Sequence, residues 1–389
     1  YAFGDTTKGD YAYESAPNST DLTWETVITK NIGLDLGFLN NRLNVSFDAY
    51  IRDTKDMLMA GKTLPGVYGA SSPRMNVADL RTKGWEASVT WGDSFTLASK
   101  PFNYRVMAGI GDNTSKVTKY DNPNRTLTDP YEGQQLGEIW GYVVDGYFKT
   151  DEEARNYKVD QSFVNQMINA SALDNGLHAG DLKFVDLDGN NKIEQTTSAN
   201  DRKDMKVIGN SLPRYNYNFG ISADWYGIDF SVLFQGIGKQ NWYPGAETSM
   251  FWGPYSRPYA SFIPSDFMSQ VWSEENTNAY FPRPRGYVAL GSNRELAVVN
   301  TKYLQNLAYC RLKNLSIGYT LPDKWLSKIG FEKIRVYFSG ENLLTFTKLH
   351  SDYIDPEQAS ASNSWKTSKS DANIYPWAKT YSFGVDITF

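Results

Sequence analysis

Residues 186–194 carry oxygen-bearing side chains at the spacing of a calcium-binding loop. Asp186, Asp188 and Asn190 occupy loop positions 1, 3 and 5. Lys192 can offer its main-chain carbonyl at position 7, and Glu194 stands at position 9. Proteins bind calcium through carboxylate, amide and carbonyl oxygens in this kind of arrangement. The spacing therefore predicts a metal site, with Ca²⁺ as a structural ion of the loop.

The same loop departs from a complete calcium motif at two positions. Asn191 stands where the motif has glycine, and Thr197 occupies position 12 in place of a bidentate glutamate. Glu194 or Asp201 could supply the missing carboxylate. An Asx-rich turn without an ion is the alternative, because Asp and Asn side chains also bond to their own backbone in turns. We expect no other cofactor.

A second set of candidate residues lies in a loop rich in aromatic rings, at about residues 240–306. Four of its rings are candidates for substrate binding: Trp242, Tyr243, Trp252 and Tyr255. Exposed aromatic rings can stack on sugar faces or pack against a partner protein. The alternative is that these rings pack on one another and hold a long loop in shape.

The side chains that usually carry out catalysis are few and show no organising motif. The chain has one cysteine, Cys310, and two histidines, His178 and His350, which lie far apart in sequence. No pair of carboxylates has a spacing tied to acid–base work, and no glycine-rich phosphate loop occurs. The net charge of −5 disfavours a nucleic-acid partner. The sequence predicts that the protein is not an enzyme.

The elements that must position these residues are strands, because apolar residues recur with a period of two. Ile32, Leu34 and Leu36 alternate with glycine and aspartate, for example. Such stretches are about ten residues long, the length that a tilted strand needs to cross a bilayer. We predict nine of them, at about residues 24–38, 42–53, 83–92, 102–113, 214–225, 228–239, 307–320, 333–343 and 379–389.

The connections between these strands alternate between short and long. The long ones are predicted as extracellular loops, at about residues 53–80, 114–213, 240–306 and 345–377, with a short helix at 151–175. A compact soluble domain rarely has several connections of this length, whereas outer-membrane barrels combine short periplasmic turns with long outer loops. The pattern favours an all-β fold, a transmembrane antiparallel β-barrel. A surface or secreted β-rich glycan-binding protein with a calcium-stabilised loop is the alternative.

Several stretches occur in the order found in a known family. They include TKGWE (Thr82–Glu86), GDLKF (Gly180–Phe184), RLKNLSIGYTLP (Arg311–Pro322), GENLL (Gly340–Leu344) and IDPE (Ile354–Glu357). With them, the chain resembles the C-terminal part of the SusC-like (SusC/RagA) TonB-dependent outer-membrane transporters of the Bacteroidetes type. The resemblance covers nearly all of residues 1–389.

The resemblance implies a fold, a location and a function. The chain would supply about nine strands of a roughly 22-stranded plugged barrel. The plug domain and the TonB-binding segment would lie upstream and be absent from this chain. The protein would lie in the outer membrane of a Gram-negative bacterium, surrounded by outer-membrane lipid. It would import a nutrient, an oligosaccharide or other glycan or a peptide, with energy delivered through TonB and with a SusD-like surface lipoprotein as its lid.

Overall fold

The structure is a computed structural model that describes residues 19, 22–61, 67, 69–165, 176–256, 263–284, 289–291, 294–326, 330–359, 369–370 and 375–389. Its strands are β1 (Thr26–Phe38), β2 (Leu43–Ala60), β3 (Arg74–Leu97), β4 (Lys100–Lys119), β5 (Glu138–Tyr142), β6 (Val144–Tyr147), β7 (Leu182–Phe184), β8 (Met205–Asn210), β9 (Arg214–Trp225), β10 (Ile228–Lys239), β11 (Asn241–Pro244), β12 (Gln305–Asn306), β13 (Tyr309–Thr320), β14 (Lys333–Thr347), β15 (Lys369–Ser370) and β16 (Thr380–Thr388). Its short helices are α1 (Asp151–Arg155), α2 (Ser249–Trp252) and α3 (Asp323–Leu326).

The longest strands form one antiparallel sheet of nine strands, in the order β1-β2-β3-β4-β9-β10-β13-β14-β16. Each strand pairs with the sheet strands that precede and follow it, so the sheet is a meander with long insertions. Tight turns join the strands at one end, at residues 39–42, 98–99 and 226–227. We call this the turn end and the opposite end the loop end. The nine predicted strands are confirmed.

One predicted outer loop is much shorter in the structure. We expected a loop over residues 53–80, but β2 continues to Ala60 and β3 begins at Arg74. The pairing of the two strands passes through two irregularities, and Asp56 adopts a positive φ of 55° there. The Asp79 carboxylate accepts the Asp56 N–H at 3.0 Å and so holds the bulge. The bulge shifts the alternation of apolar residues, so the end of β2 does not show the period of two by which strands are predicted.

The sheet has two faces of opposite chemistry. The face that we call the outer face exposes large apolar side chains, among them Ile32, Leu34, Leu36, Phe383, Val385 and Ile387. The opposite face, the inner face, is polar, and a shallow cavity of about 360 Å³ there is lined in part by Ser46, Asp48, Glu86, Asn216 and Asn218. A continuous band of exposed apolar side chains is unfavourable in water but stable against lipid. The two faces fit a wall between lipid and a hydrated interior.

Aromatic rings concentrate at the turn end of the outer face. Phe95 and Phe102 have ring centroids 5.0 Å apart, and Tyr104 lies 6.1 Å from Phe102. Trp91 donates from Nε1 to the Tyr104 hydroxyl at 2.9 Å. Rings with one apolar and one polar end favour the boundary between water and lipid. This belt explains part of the high aromatic content of the chain.

The buried core of the molecule lies in the long connections. Its fully buried members include Ile139, Phe184, Trp252, Phe281, Leu296 and Tyr303. Short strand pairs organise it: β5 pairs with β8, β6 with β7, and β11 with both β12 and β15. Long loops keep one conformation only if they bury enough apolar surface to offset the entropy lost on ordering. We call this buried cluster the loop core.

Of the helix predicted over residues 151–175, the described residues 151–165 contain only a short helix at the start. Helix α1 has Thr150 as its N-cap and ends at Arg155. Residues 156–165 continue without helix, and residues 166–175 lie outside the described residues. Among the helices that the structure describes, none has both the length and the apolar character to cross a membrane.

Candidate functional site

The acidic loop that follows β7 is folded on its own side chains. Asp186 accepts the N–H groups of Gly189 and Asn191, each at 2.7 Å. Asp188 accepts the Asn190 N–H at 3.1 Å. Asn191 has a positive φ of 63°, at the position where the calcium motif has glycine. Asn tolerates this left-handed conformation better than most residues, so it can stand where the motif has glycine.

A third carboxylate, from Asp204, completes a group of three. One oxygen from each of Asp186, Asp188 and Asp204 lies within 4.8 Å of the others. Asp204 is fully buried just before β8. It accepts the Leu187 N–H at 2.8 Å and the Glu194 N–H at 2.7 Å. Asp204 was not predicted because it follows the loop at no motif spacing; only its nearness to Asp201, which the sequence offered as a possible ligand, could have drawn attention to it.

The other predicted ligands, Asn190, Lys192 and Glu194, form bonds with one another and with Lys203. Glu194 Oε1 binds Lys203 Nζ at 3.3 Å, and Glu194 Oε2 accepts a bond from Asn190 Nδ2 at 3.1 Å. Asn190 Oδ1 accepts the Lys192 N–H at 2.8 Å. The three carboxylates that lie together are Asp186, Asp188 and Asp204, and the part of Glu194 or Asp201 as ligands stays a prediction.

Burial and like charge disfavour the charged form of Asp204, whereas, against the opposing effect of burial, the N–H donors of Asn191 and Gly189 hold the pKa of Asp186 below its usual value. Burial raises the pKa of Asp204, the two N–H donors oppose that rise, and the neighbouring Asp188 and Asp186 carboxylates add to it. A divalent cation would remove the repulsion by giving the three carboxylates a shared positive partner. Carboxylate and amide oxygens are the ligands that hard cations such as Ca²⁺ prefer, so the residues fit the predicted ion.

The four aromatic candidates for substrate binding are buried. Trp242, Tyr243, Trp252 and Tyr255 are each at most 1% exposed. The rings of Tyr243 and Trp252 lie 6.3 Å apart within the loop core. A buried ring has no open face for a sugar, so the expectation that these rings are exposed is wrong. The structure has the alternative arrangement, in which the rings pack on one another and hold the loop in shape.

The polar ends of these rings bond to the backbone of distant loop segments. The Tyr243 hydroxyl donates to the Leu296 carbonyl at 2.8 Å, and the Tyr255 hydroxyl donates to the Pro282 carbonyl at 2.6 Å. Burial raises the pKa of Tyr243 well above its usual value, so its hydroxyl remains a donor at every physiological pH. Each bond ties together two parts of the loop that the sequence separates.

A buried ion network ties an outer loop to the inner face of the wall. Arg311 on β13 is 3% exposed. Its Nη2 binds Asp355 Oδ1 and its Nη1 binds Glu357 Oε2, each at 2.6 Å. Lys313 Nζ binds Glu357 Oε1 at 2.8 Å. Two stretches on which the family resemblance rests, RLKNLSIGYTLP and IDPE, thus bind each other, a contact that the sequence analysis did not predict.

A cavity of about 670 Å³ lies beside this network, between β13, β14 and the segment before β16. Its lining combines aromatic rings with hydroxyl and amide groups, among them Asn342, Thr345, Thr347, Tyr353, Tyr375 and Trp377. Tyr353 is 48% exposed and Trp377 is 52% exposed. Unlike the four buried rings, these two are about half exposed, and Lys313 Nζ lies 5.5 Å from the centroid of the Trp377 ring.

Comparison with known proteins points to one family. The family model described as "TonB dependent receptor-like, beta-barrel" matches residues 2–343. TonB-dependent receptor P3 of Formosa agariphila is 28% identical over 388 residues, which cover 95% of this chain and 34% of that protein. TonB-dependent receptor SusC of Bacteroides thetaiotaomicron is 24% identical over 393 residues, which cover 100% of this chain and 34% of that protein.

Solved structures share the fold. A chain of the RagAB peptide transporter matches with a TM-score of 0.65 at 21% identity, over 95% of this chain and 36% of that chain. A chain of the RagAB peptide importer in the "open-open" state gives a TM-score of 0.66 at 22% identity. The present chain spans about a third of the length of the relatives that it matches. It belongs to the TonB-dependent receptor-like β-barrel family, a family of outer-membrane proteins, as its sequence motifs indicated.

Proposed function

We propose that this chain forms the C-terminal wall and outer loops of a TonB-dependent importer of a nutrient, an oligosaccharide or other glycan or a peptide. One observation carries the proposal: a nine-stranded antiparallel sheet with an apolar outer face and a polar inner face, whose long connections form a folded core. The outer face suits lipid, and the inner face suits a hydrated path. The wall and the loops would bind the nutrient and guide it through the barrel, and we assign no catalytic step to them.

The proposed partners follow from the same architecture. A SusD-like lipoprotein would rest on the loop core, whose buried aromatic rings make it a firm support. TonB would act through a region of the protein upstream of this chain. The RagAB structures are those of a peptide transporter, which supports import as the activity of this fold.

For substrate contact we propose the cavity beside the Arg311 network in place of the four buried rings. Trp377 and Tyr353 are about half exposed there, next to the hydroxyl groups of Thr345 and Thr347. Aromatic faces combined with hydroxyl groups suit sugar rings, and the same rings can pack on the side chains of a peptide. The cavity volume is in the range of ordinary ligand sites.

An uptake assay tests the import proposal. The full-length protein would be restored to a strain that lacks it, and uptake of fluorescent oligosaccharide and peptide mixtures would be measured with and without TonB. We expect TonB-dependent uptake of one of the two classes, and Trp377→Ala should lower it several-fold. Trp325→Ala, which removes an exposed ring near the turn end, is the matched control. Uptake of neither class above the empty strain would refute import.

Fractionation tests the alternative of a surface or secreted glycan-binding protein. That protein would have to keep the outer face, with Phe219 at 40% and Ile221 at 45% exposure on the interior strand β9, in contact with water. We expect the full-length protein to sediment with outer membranes and to need detergent for extraction. A protein that stays monodisperse in buffer alone would favour the alternative.

We further propose that Asp186, Asp188 and Asp204 bind a structural Ca²⁺, with Asn190 beside them. The ion would fix the acidic loop against the segment that leads into β8. Calorimetry on the full-length protein in detergent should show Ca²⁺ binding that Asp204→Asn weakens at least tenfold, while Asp201→Asn, outside the group, leaves it unchanged. Absence of binding at millimolar Ca²⁺, or equal effects of the two variants, would leave the Asx-turn interpretation standing.

A further inference from the structure

A cluster of basic side chains lies on the outer face near the loop end. The strand register aligns Lys30 with Ile51 and Ile51 with Lys83, in one row across β1, β2 and β3. In the next row toward the loops, Arg81 aligns with Lys116 on β4. Neighbouring strands are about 4.8 Å apart, so Lys30 and Lys83 stand about 10 Å apart. We call Lys30, Arg81, Lys83 and Lys116 the basic patch.

The basic patch begins where the apolar band ends. The row below it, toward the turn end, aligns Ile32 with Ala49 and Ala49 with Trp85. Ile32 is 73% exposed, and Ile51, between the two lysines, is 37% exposed. Trp24, just before β1, is 91% exposed. An apolar band that gives way to cations and an exposed Trp marks the level of the lipid headgroups.

Most of the positive charge in the basic patch is not neutralised by the protein. Arg81 is held by Asp53 through bonds of 2.6 Å and 3.0 Å. Lys30, Lys83 and Lys116 are exposed, and none of them forms an ion pair within the part of the chain that the structure describes, although the Asp53 carboxylate also attracts Lys30 at longer range. Cations beside hydrocarbon are unfavourable unless they reach water or an anion. Three such lysines on one side of the wall therefore favour an anion at that level.

We propose that the basic patch binds the phosphate groups of an anionic lipid in the outer leaflet. Lys30 and Lys83 would hold one phosphate between them, and Lys116 would approach the same headgroup from the next row. Ile51 and Ile32 would contact the acyl chains directly below. The long loops lie at this end of the sheet, which places the basic patch in the outer leaflet and not the inner one. This site is separate from the substrate path, which lies on the inner face.

Lipid retention measures this site directly. The full-length protein would be reconstituted in nanodiscs that contain phosphorylated lipid A or lipid A with its phosphates removed, and the lipid that remains after washing would be quantified. Each basic residue at a membrane surface contributes about a fivefold gain in association with anionic lipid. The triple variant Lys30→Gln, Lys83→Gln, Lys116→Gln should therefore retain at least tenfold less phosphorylated lipid A.

The matched control removes three exposed lysines near the turn end: Lys100→Gln, Lys324→Gln and Lys333→Gln. It should retain lipid as the wild type does, and both triple variants should keep the heat-modifiable migration of a folded barrel. Equal retention in the two triple variants, or equal retention of dephosphorylated lipid A, would overturn the proposal. Full competition for lipid retention by millimolar inorganic phosphate would also overturn it, because that result indicates a site for a free anion.

Discussion

Replacing Arg311 by Met should release the loop that carries Asp355 and Glu357 from the wall. The change removes a 3%-exposed guanidinium and leaves Asp355, whose side chain is 5% exposed, without its ionic partner. Breaking a buried ion pair from one side costs about 3–5 kcal/mol, because the remaining charge stays buried. Removing this single side chain is therefore expected to loosen the whole loop.

The structure places this case at the low end of that range. Asp355 keeps two backbone donors, the N–H groups of Glu357 at 2.9 Å and Trp377 at 3.1 Å. Glu357 keeps Lys313 at 2.8 Å. We therefore expect a loss of about 3 kcal/mol in the free energy that holds the loop closed, which corresponds to amide exchange on the order of 100-fold faster.

Hydrogen exchange followed by mass spectrometry on the full-length protein in detergent would measure this change over residues 345–359. Arg335→Met is the matched control, because Arg335 makes a pair with Asp229 at 2.6 Å but the two side chains are 21% and 37% exposed. A partly exposed pair of that kind contributes about 1 kcal/mol or less. If Arg311→Met and Arg335→Met change exchange in their own segments to the same extent, the assignment of Arg311 as the buried anchor of the loop is wrong.

Three further predictions concern the loop core and the last strand. Trp252→Ala should cost the loop core about 3–5 kcal/mol and open it to protease, because Trp252 is 0% exposed; membrane insertion should stay normal, and protease resistance equal to that of Trp325→Ala would contradict this. Burial lowers the pKa of His350, which stacks on Tyr280 at 3.5 Å, so the unfolded loop binds the proton more readily than the folded one. The loop core should therefore be most stable above about pH 6.5 and lose stability as the pH falls through the lower folded pKa; His350→Gln should abolish that part of the pH dependence of hydrogen exchange, and an unchanged profile would exclude it. Deleting Thr380–Phe389 removes β16, which pairs with β14 over nine aligned residues from Lys333 to Glu341, so insertion into the outer membrane should fail; normal insertion, seen as heat-modifiable migration, would show that β16 is dispensable.

The wall could be predicted from the sequence because its signal is local. Successive residues of a strand face opposite sides of the sheet. The apolar residues Ile32, Leu34 and Leu36 therefore predict both a strand and the side of it that faces lipid. The same logic failed where a bulge at Asp56 shifted the alternation, and the strand was taken for a loop. The order of short and long connections could also be predicted, because the positions of strands and turns both depend on residues that are neighbours in the sequence.

The loop contacts could not be predicted because they join residues that the chain separates widely. Composition showed that Trp242, Tyr243, Trp252 and Tyr255 lie in an aromatic loop, but whether a ring is exposed depends on what packs over it. That was decided by strand pairs such as β5 with β8 and by residues as distant as Leu296.

The sequence by itself thus determined the sheet, its two faces and the first two carboxylates of the acidic loop. Only the tertiary structure decided that Asp204 joins Asp186 and Asp188, and that Arg311 binds Asp355 and Glu357. The physical reason is that strand periodicity is imposed residue by residue by the backbone. A buried charge, by contrast, takes its partner from whichever segment the fold brings within hydrogen-bond distance.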